Sequence, residues 1–116
     1  MTLFMTELHV VDPERLAGWY AEVLGLRVVL QDAPKGFVLL EALGGGRLAL
    51  KRSDERGRGC RLVFQVEDPD AERVRLEALG EAVSEASDNT EEQYREVRLS
   101  DPEGTPITLF AWSRQG

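Results

Sequence analysis

Residues 101–110 read DPEGTPITLF, and this stretch decides the fold. Its first four residues are typical of a tight turn, because Pro presets φ near about −65° and Gly tolerates positive φ. The residues that follow alternate like a strand, with Ile107 and Leu109 on one face and Thr108 and Phe110 on the other. We therefore expect a turn that leads into a closing strand, whose second face looks into the concavity of a sheet.

The composition is that of one soluble globular domain over residues 1–116, with 42% hydrophobic and 30% charged residues. No apolar run approaches the roughly 20 residues that cross a bilayer, so we expect no membrane partner. Residues 1–9 lack the features of a signal peptide, and the single Cys60 cannot form an internal disulfide. Both observations predict a cytoplasmic protein.

The net charge of −7 disfavours a nucleic-acid partner. Affinity for a duplex comes largely from Lys and Arg side chains that neutralise phosphates. An acidic surface is compatible with a cationic ligand, and it also keeps a protein soluble without any ligand.

Two stretches of the same chemistry predict the two helices. Asp12-Pro13-Glu14 and Asp68-Pro69-Asp70 each supply an N-cap Asp, a Pro at the first helical position and an acidic residue in the first turn. Gly25 and Gly80 follow at the distance expected for the residue that ends each helix. The apolar stripes are Leu16, Trp19, Tyr20, Val23 and Leu24 in the first helix, and Val74, Ala78 and Leu79 in the second.

One strand is predicted before each helix and three after it. The predicted strands are residues 2–11, 26–31, 37–42 and 47–51 in the first half, and residues 60–66, 82–85, 94–99 and 105–111 in the second. Gly44-Gly45-Gly46 is interpreted as a hairpin turn, because a phosphate-binding loop would need a helix directly after it. Residues 53–59 predict a linker, and residues 87–92 predict an acidic loop.

This order predicts an α+β fold with two βαβββ modules in one chain, residues 2–52 and residues 60–112, within a single domain. Strands and helices do not alternate strictly, so a doubly wound parallel sheet is disfavoured. Each module is expected to form a curved mixed sheet with one helix on its outer face and a concave cavity on the other. Exposed sheet edges favour a homodimer that covers them.

The chain resembles the vicinal oxygen chelate superfamily over nearly its whole length. The segments that carry the resemblance are Val10-Val11-Asp12 with Trp19-Tyr20 and residues 23–26, the strand at residues 61–68, and residues 99–107. The superfamily contains glyoxalase I, extradiol dioxygenases, fosfomycin-resistance transferases, methylmalonyl-CoA epimerase and bleomycin-resistance proteins. The resemblance implies a glyoxalase/bleomycin-resistance/dioxygenase-like fold, which hosts many chemistries.

Enzymes of this superfamily bind a divalent metal through His, Gln or Glu side chains on the first and fourth strands of each module. The resemblance places those four positions on Met5, Ala49, Arg61 and Thr108. None of these is a suitable ligand, and the Arg61 guanidinium would repel a cation. The sequence therefore predicts no divalent metal and no other cofactor, although Glu7 and His9 lie on the corresponding face of the first strand.

Strand alternation places polar and aromatic residues on the concave faces. The candidate ligand-binding residues are Glu7, His9, Arg47, Arg61, Arg98, Thr108 and Phe110. Basic residues in an acidic protein suggest an anionic small-molecule ligand with a carboxylate, phosphate or enolate group. His9 is the candidate catalytic residue, as a general base, and Phe110 and Trp112 are candidates for stacking on a ligand.

An alternative interpretation needs no ligand for the basic residues. In that case they pair across strands with acidic residues; the side chains concerned are Arg47, Lys51, Arg61 and Arg98, with Glu7, Glu41 and Glu96.

Three functions stay open at this point. The leading hypothesis is a metal-independent small-molecule-binding protein that sequesters its ligand, as in the bleomycin-resistance branch. The second is a metal-dependent lyase, isomerase or dioxygenase with a displaced metal site, or an enzyme that uses His9 without metal. The third is a dimeric scaffold without a ligand. An open cavity with converging arginines favours the binding protein, whereas a concavity filled by side chains favours the scaffold.

Overall fold

The chain divides into two compact units, Met1–Gly59 and Cys60–Gly116. A computed structural model describes residues 4–54 and 60–113. Residues 2–3 of the first predicted strand and residues 55–59 of the predicted linker lie outside the described residues. Within the described ranges, no helix has the length and apolar content needed to span a bilayer.

The first unit follows the predicted order βαβββ. Its elements are β1 (Thr6–Val10), α1 (Pro13–Leu24), β2 (Arg27–Asp32), β3 (Phe37–Glu41) and β4 (Arg47–Arg52). The sheet order is β1-β4-β3-β2, with β1 parallel to β4 and the other pairs antiparallel. Between β3 and β4, the Ala42 N–H donates to the Gly46 carbonyl at 3.0 Å, so the glycine run is the predicted hairpin turn.

Helix α1 begins and ends where its sequence signals predict. The Asp12 side chain accepts a hydrogen bond from the Arg15 N–H at 3.2 Å, and Pro13 takes the first helical position. Gly25 ends the helix at a φ of 76°, a conformation that glycine adopts without steric cost. The buried residues of α1 are Pro13, Leu16, Ala17, Tyr20 and Val23.

The core of the first unit lies between α1 and one face of its sheet. Alternate strand residues supply that face, namely Leu8, Val10, Val38, Leu40, Leu48 and Leu50, each at most 6% exposed. Each fully buried aliphatic side chain of this size contributes about 1.5–3 kcal/mol. The period-2 alternation of the sequence therefore becomes a core face and an opposite, more polar face.

The second unit repeats the order and the topology. Its elements are β5 (Leu62–Gln65), α2 (Pro69–Ala78), β6 (Ser87–Asn89), β7 (Tyr94–Ser100) and β8 (Pro106–Trp112). The sheet order is β5-β8-β7-β6, with β5 parallel to β8. Its core is formed by Leu76, Val97, Leu99, Ile107 and Leu109.

The turn that precedes β8 is built around Asp101, which is 4% exposed. Its Oδ1 accepts hydrogen bonds from the N–H groups of Glu103 at 2.8 Å and Thr105 at 2.9 Å. Gly104 has a φ of 89°, and its N–H donates to the Asp101 carbonyl at 2.9 Å. The predicted turn is confirmed, and the buried carboxylate satisfies backbone donors that would otherwise lack partners.

The strand expected at residues 82–85 is wrong. The third strand of the module is β6, which lies inside the predicted acidic loop and pairs with β7. Across that pair, Arg95 Nη1 contacts Asp88 Oδ2 at 2.9 Å, and this cross-strand ion pair offsets the weak strand propensity of Ser-Asp-Asn. Ser84 still contacts β7, because its N–H donates to the Arg98 carbonyl at 2.9 Å.

The apolar stripe expected on α2 is also wrong. Val74 and Leu79 are 70% and 53% exposed, whereas the buried residues of the helix are Pro69 and Leu76. Arg95 of β7 binds both carboxylate oxygens of Asp70 at 2.7 and 2.9 Å. This bidentate contact joins α2 to β7, and Leu76 is the fully buried leucine of the helix.

Candidate ligand-binding site

The second-unit sheet forms an open cavity of about 310 Å³ on the face opposite its core. The cavity is lined by Arg61, Val63, Glu92, Tyr94, Glu96, Arg98, Thr108, Phe110 and Trp112. Four of the predicted ligand-binding residues therefore line one cavity, namely Arg61, Arg98, Thr108 and Phe110.

Strand register explains why these side chains meet. Arg98 lies opposite Thr108, and Glu96 lies opposite Phe110, in the antiparallel β7–β8 pair. Val63 lies beside Thr108 in the parallel β5–β8 pair. Directly opposed residues point to the same side of a sheet, so one face of three adjacent strands supplies most of the lining.

One end of the cavity is aromatic. The Phe110 and Trp112 ring centroids are 5.1 Å apart, and Tyr94 lies 6.2 and 6.4 Å from them. All three pairs meet edge to face, a favourable arrangement for aromatic rings. Trp112 is 59% exposed, so much of this apolar surface is open to a ligand.

The other end of the cavity carries Arg61. Its Nη1 donates a hydrogen bond to Thr108 Oγ1 at 3.1 Å, and Thr108 is buried. In residues 4–54 and 60–113, no carboxylate forms an ion pair with Arg61. Thr108 therefore fixes the direction of the guanidinium without neutralising its charge.

Arg98 differs from Arg61 in this respect. Its Nε and Nη2 atoms each lie 2.9 Å from Glu96 Oε1, and the Glu96 side chain is only 12% exposed. The charge of Arg98 is thus balanced by a carboxylate from its own strand. The cavity offers one balanced and one unbalanced guanidinium.

A known protein family matches most of this chain. The sequence profile of the glyoxalase-like domain matches residues 5–110. The chain belongs to this glyoxalase-like family. The match spans both units, and it confirms the resemblance to the vicinal oxygen chelate superfamily.

Solved structures of the glyoxalase-like fold cover almost the whole chain. An integron cassette protein from the mobile metagenome of the Halifax Harbour sewage outfall has a TM-score of 0.85 at 24% identity, over 95% of this chain and 97% of that one. TnmS3, an antibiotic binding protein from Streptomyces sp. CB03234, has a TM-score of 0.81 at 24% identity, over 97% of each chain. Lactoylglutathione lyase from Agrobacterium tumefaciens has a TM-score of 0.78 at 22% identity, over 95% of this chain and 92% of that one. At these identities the likeness establishes the fold alone, and a comparison with curated protein sequences finds no match.

The four positions that the resemblance assigns to metal ligands carry side chains that do not fit a divalent metal. Ala49 is fully buried and has no donor atom, and Met5 offers a soft thioether. Thr108 Oγ1 already accepts a hydrogen bond from the Arg61 guanidinium at 3.1 Å. Among the described residues, no group of three His, Cys, Asp or Glu side chains is placed to hold a metal. No metal-dependent step can be derived from this set of side chains.

The other three predicted ligand-binding residues, Glu7, His9 and Arg47, belong to the first unit. His9 Nε2 lies 3.1 Å from Glu7 Oε2, the acidic residue that strand alternation places on the same face of β1. Arg47 Nε donates to Glu41 Oε2 at 3.2 Å, so the cross-strand interpretation accounts for Arg47. Arg47 and Arg27 each donate a hydrogen bond to Glu41. These bonds hold the pKa of Glu41 below its ordinary value, and the bond from Arg47 has the larger effect.

Four lining residues are not among the predicted ligand-binding and stacking residues, namely Val63, Glu92, Tyr94 and Glu96. Tyr94 lies opposite Trp112 at the start of β7, and Glu92 precedes it in the chain. The alternation that places Arg98 and Glu96 on the concave face extends back to Tyr94, so strand parity contained the signal. Glu92 lies outside any strand, and no periodic pattern marks it.

Proposed function

We propose that this glyoxalase-like protein binds a small aromatic molecule with an anionic group and sequesters it without making or breaking a bond. The observation that supports this most directly is one cavity with an aromatic cluster at one end and the unbalanced Arg61 at the other. The volume of about 310 Å³ is at the lower end of the range typical of small-molecule sites.

The aromatic end supplies affinity for a flat ring system. Tyr94, Phe110 and Trp112 present rigid apolar surface at little entropic cost, and stacked or edge-on ring pairs contribute about 0.5–1.5 kcal/mol each beyond the burial of area. This surface is exposed in the absence of a ligand, so a bound ring would remove it from water.

The Arg61 end selects the charge of the ligand. A guanidinium forms charge-assisted hydrogen bonds with carboxylate or phenolate oxygens, and Thr108 holds it in place. The built-in cation lies at a position where related enzymes place a metal ligand. We therefore propose that anion binding in this protein requires no divalent metal.

Sequestration is supported by the combination of a binding cavity and side chains that do not fit the metal of the family. TnmS3, which shares the fold, is an antibiotic binding protein. A natural product or antibiotic with an aromatic core and an acidic group is the ligand class that the cavity would accept.

A homodimer stays a prediction. It would cover Val28, Val29 and Leu30 on the edge strand β2, which are 40–53% exposed. Sedimentation velocity would measure the oligomeric state.

The rival function is a metal-dependent lyase, isomerase or dioxygenase with a displaced metal site. Two measurements distinguish the sequestering protein from the enzyme. Elemental analysis gives the metal content of the protein, and calorimetric titration with 2-naphthoate gives the affinity before and after treatment with EDTA. We expect less than about a tenth of an equivalent of metal and an unchanged dissociation constant after EDTA. A near-stoichiometric metal whose removal abolishes binding would contradict the proposal and favour the enzyme.

A further inference from the structure

We propose that the ligand is longer than the aromatic cavity, with its anionic group at Arg61 and a polar extension in a neighbouring cavity. This inference rests on the proposed function. The neighbouring cavity has a volume of about 410 Å³ and is lined by Arg61, Glu81, Ala82, Arg98, Leu99, Ser100 and Pro106. Arg61 and Arg98 line both cavities, so the two cavities are adjacent.

The neighbouring cavity lies at one end of the second-unit sheet. There β5 begins at Leu62, β7 ends at Ser100 and β8 begins at Pro106. The chain at residues 82–85 leaves the strand ladder and contacts β7 through Ser84, whose Oγ accepts a hydrogen bond from the Arg98 N–H at 2.8 Å. Glu81 and Ala82, which precede this contact in the chain, lie on the cavity wall.

The two cavities differ in chemistry. The aromatic cavity is lined by three aromatic rings, whereas the described lining of the neighbouring one has no aromatic residue and includes the carboxylate of Glu81 and the hydroxyl of Ser100. A carboxylate accepts hydrogen bonds, and a hydroxyl both donates and accepts them. An amide or peptide-like extension has donors and acceptors that match both groups.

These features define a ligand class. It has an aromatic ring, a carboxylate on a branching carbon, and an acylamino group on the same carbon. The ring would lie against Tyr94, Phe110 and Trp112, the carboxylate at Arg61, and the acylamino group beside Glu81 and Ser100. N-acylated aromatic amino acids and peptides that end in one have this connectivity.

The test compares two acids that share a ring and a carboxylate. The compact probe is 3-(2-naphthyl)propanoate, and the extended probe is N-acetylglycyl-3-(2-naphthyl)alanine, with both dissociation constants measured by calorimetry. We expect the full-length protein to bind the extended acid about tenfold more tightly, because one or two added hydrogen bonds are worth about that much.

A variant that fills the neighbouring cavity sharpens the test. Ala82 is exposed and lies outside helix and strand, so Ala82→Trp is compatible with folding. We expect Ala82→Trp to remove the tenfold gain and to leave the affinity for the compact acid within twofold. The matched control is Ala71→Trp on α2, an exposed alanine that lines neither cavity, and it is expected to change neither affinity.

The outcomes separate the inference from the proposed function. Equal binding of both acids, or an Ala82→Trp variant that keeps the tenfold gain, would overturn the extended ligand and leave the aromatic cavity intact. Failure of both acids to bind the unsubstituted protein would overturn the proposed function and the extension together.

Discussion

The two units share one order of strands and one sheet topology, yet they use their polar faces differently. In the first unit, Glu41 accepts hydrogen bonds from Arg27 at 3.0 Å and Arg47 at 3.2 Å, so both of these arginines share one carboxylate partner. In the second unit, Arg61 has only the Thr108 hydroxyl as a described partner and lines a cavity with three aromatic rings. A duplicated module thus allows one copy to pair its sheet arginines with a carboxylate while the other leaves Arg61 without one in the part of the chain that the structure describes.

The two helices also differ in how they are held to their sheets. Helix α1 buries five residues against its sheet, whereas α2 buries Pro69 and Leu76 and relies on the contact between Asp70 and Arg95. Burial of apolar area is the larger stabilising term, since an exposed ion pair contributes at most about 1 kcal/mol. The first unit is therefore expected to be more sensitive to substitutions on its helix.

The largest expected effect compares a buried leucine of α1 with the exposed leucine that follows α2. Leu16→Ala on α1 removes a side chain that is 2% exposed, and it is expected to lower the free energy of unfolding by about 2–5 kcal/mol. Leu79→Ala at the end of α2 removes one that is 53% exposed, with an expected change within about 0.5 kcal/mol. Urea denaturation of both variants measures the difference, and equal losses would show that the two helices are packed alike.

A second, smaller effect compares one tryptophan from each unit. Trp112→Ala removes a ring from the cavity and is expected to weaken 2-naphthoate binding by about 0.5–1.5 kcal/mol, or roughly two- to tenfold. Trp19→Ala removes a ring that packs edge-on against Tyr20 in α1 and is expected to leave the affinity unchanged. Calorimetric titration of both variants with 2-naphthoate measures these affinities. An unchanged affinity in Trp112→Ala would show that the aromatic cluster is not part of the binding site.

The smallest expected effect concerns pH and Glu41. Its pKa is held below the ordinary value of 4.5 by hydrogen bonds from Arg47 and Arg27, so its ionised form stabilises the folded state. That contribution is fully present above the ordinary value and is lost as the pH falls through the lowered one. We expect Glu41→Gln to have a lower Tm than the unsubstituted protein at pH 7, with the difference shrinking below pH 4.5. A difference that grows on acidification would contradict this assignment.

The sequence was a good guide where local chemistry decides the structure. The Asp-Pro helix starts, Gly25 and the turn at residues 101–104 act through their own backbone preferences, and all appear where they were predicted. It failed at β6 and at the α2 stripe, two places where Arg95 makes contacts outside its own strand, with Asp88 in β6 and Asp70 in the helix. Such contacts between distant residues override weak local propensity.

The candidate site was predictable where position along a strand decides which face a side chain occupies. Strand parity identified Arg61, Arg98, Thr108 and Phe110, since parity depends only on position along a strand. Parity does not determine which arginine is balanced by a carboxylate, because that depends on side-chain conformation. Arg98 is balanced by Glu96 from its own strand, whereas the prediction had considered partners across strands.

The central claim is that Arg61 selects an anionic aromatic ligand in the second unit. The most direct measurement is the calorimetric affinity of 2-naphthoate and of the neutral 2-naphthamide for the unsubstituted protein, Arg61→Gln and the control Arg15→Gln, an exposed arginine on α1. We predict that Arg61→Gln weakens the binding of 2-naphthoate by about 1–3 kcal/mol and leaves the affinity for 2-naphthamide unchanged. Arg61→Gln thus loses the preference for the acid, whereas the control Arg15→Gln retains it. Equal affinity of Arg61→Gln and the control for 2-naphthoate would contradict the claim.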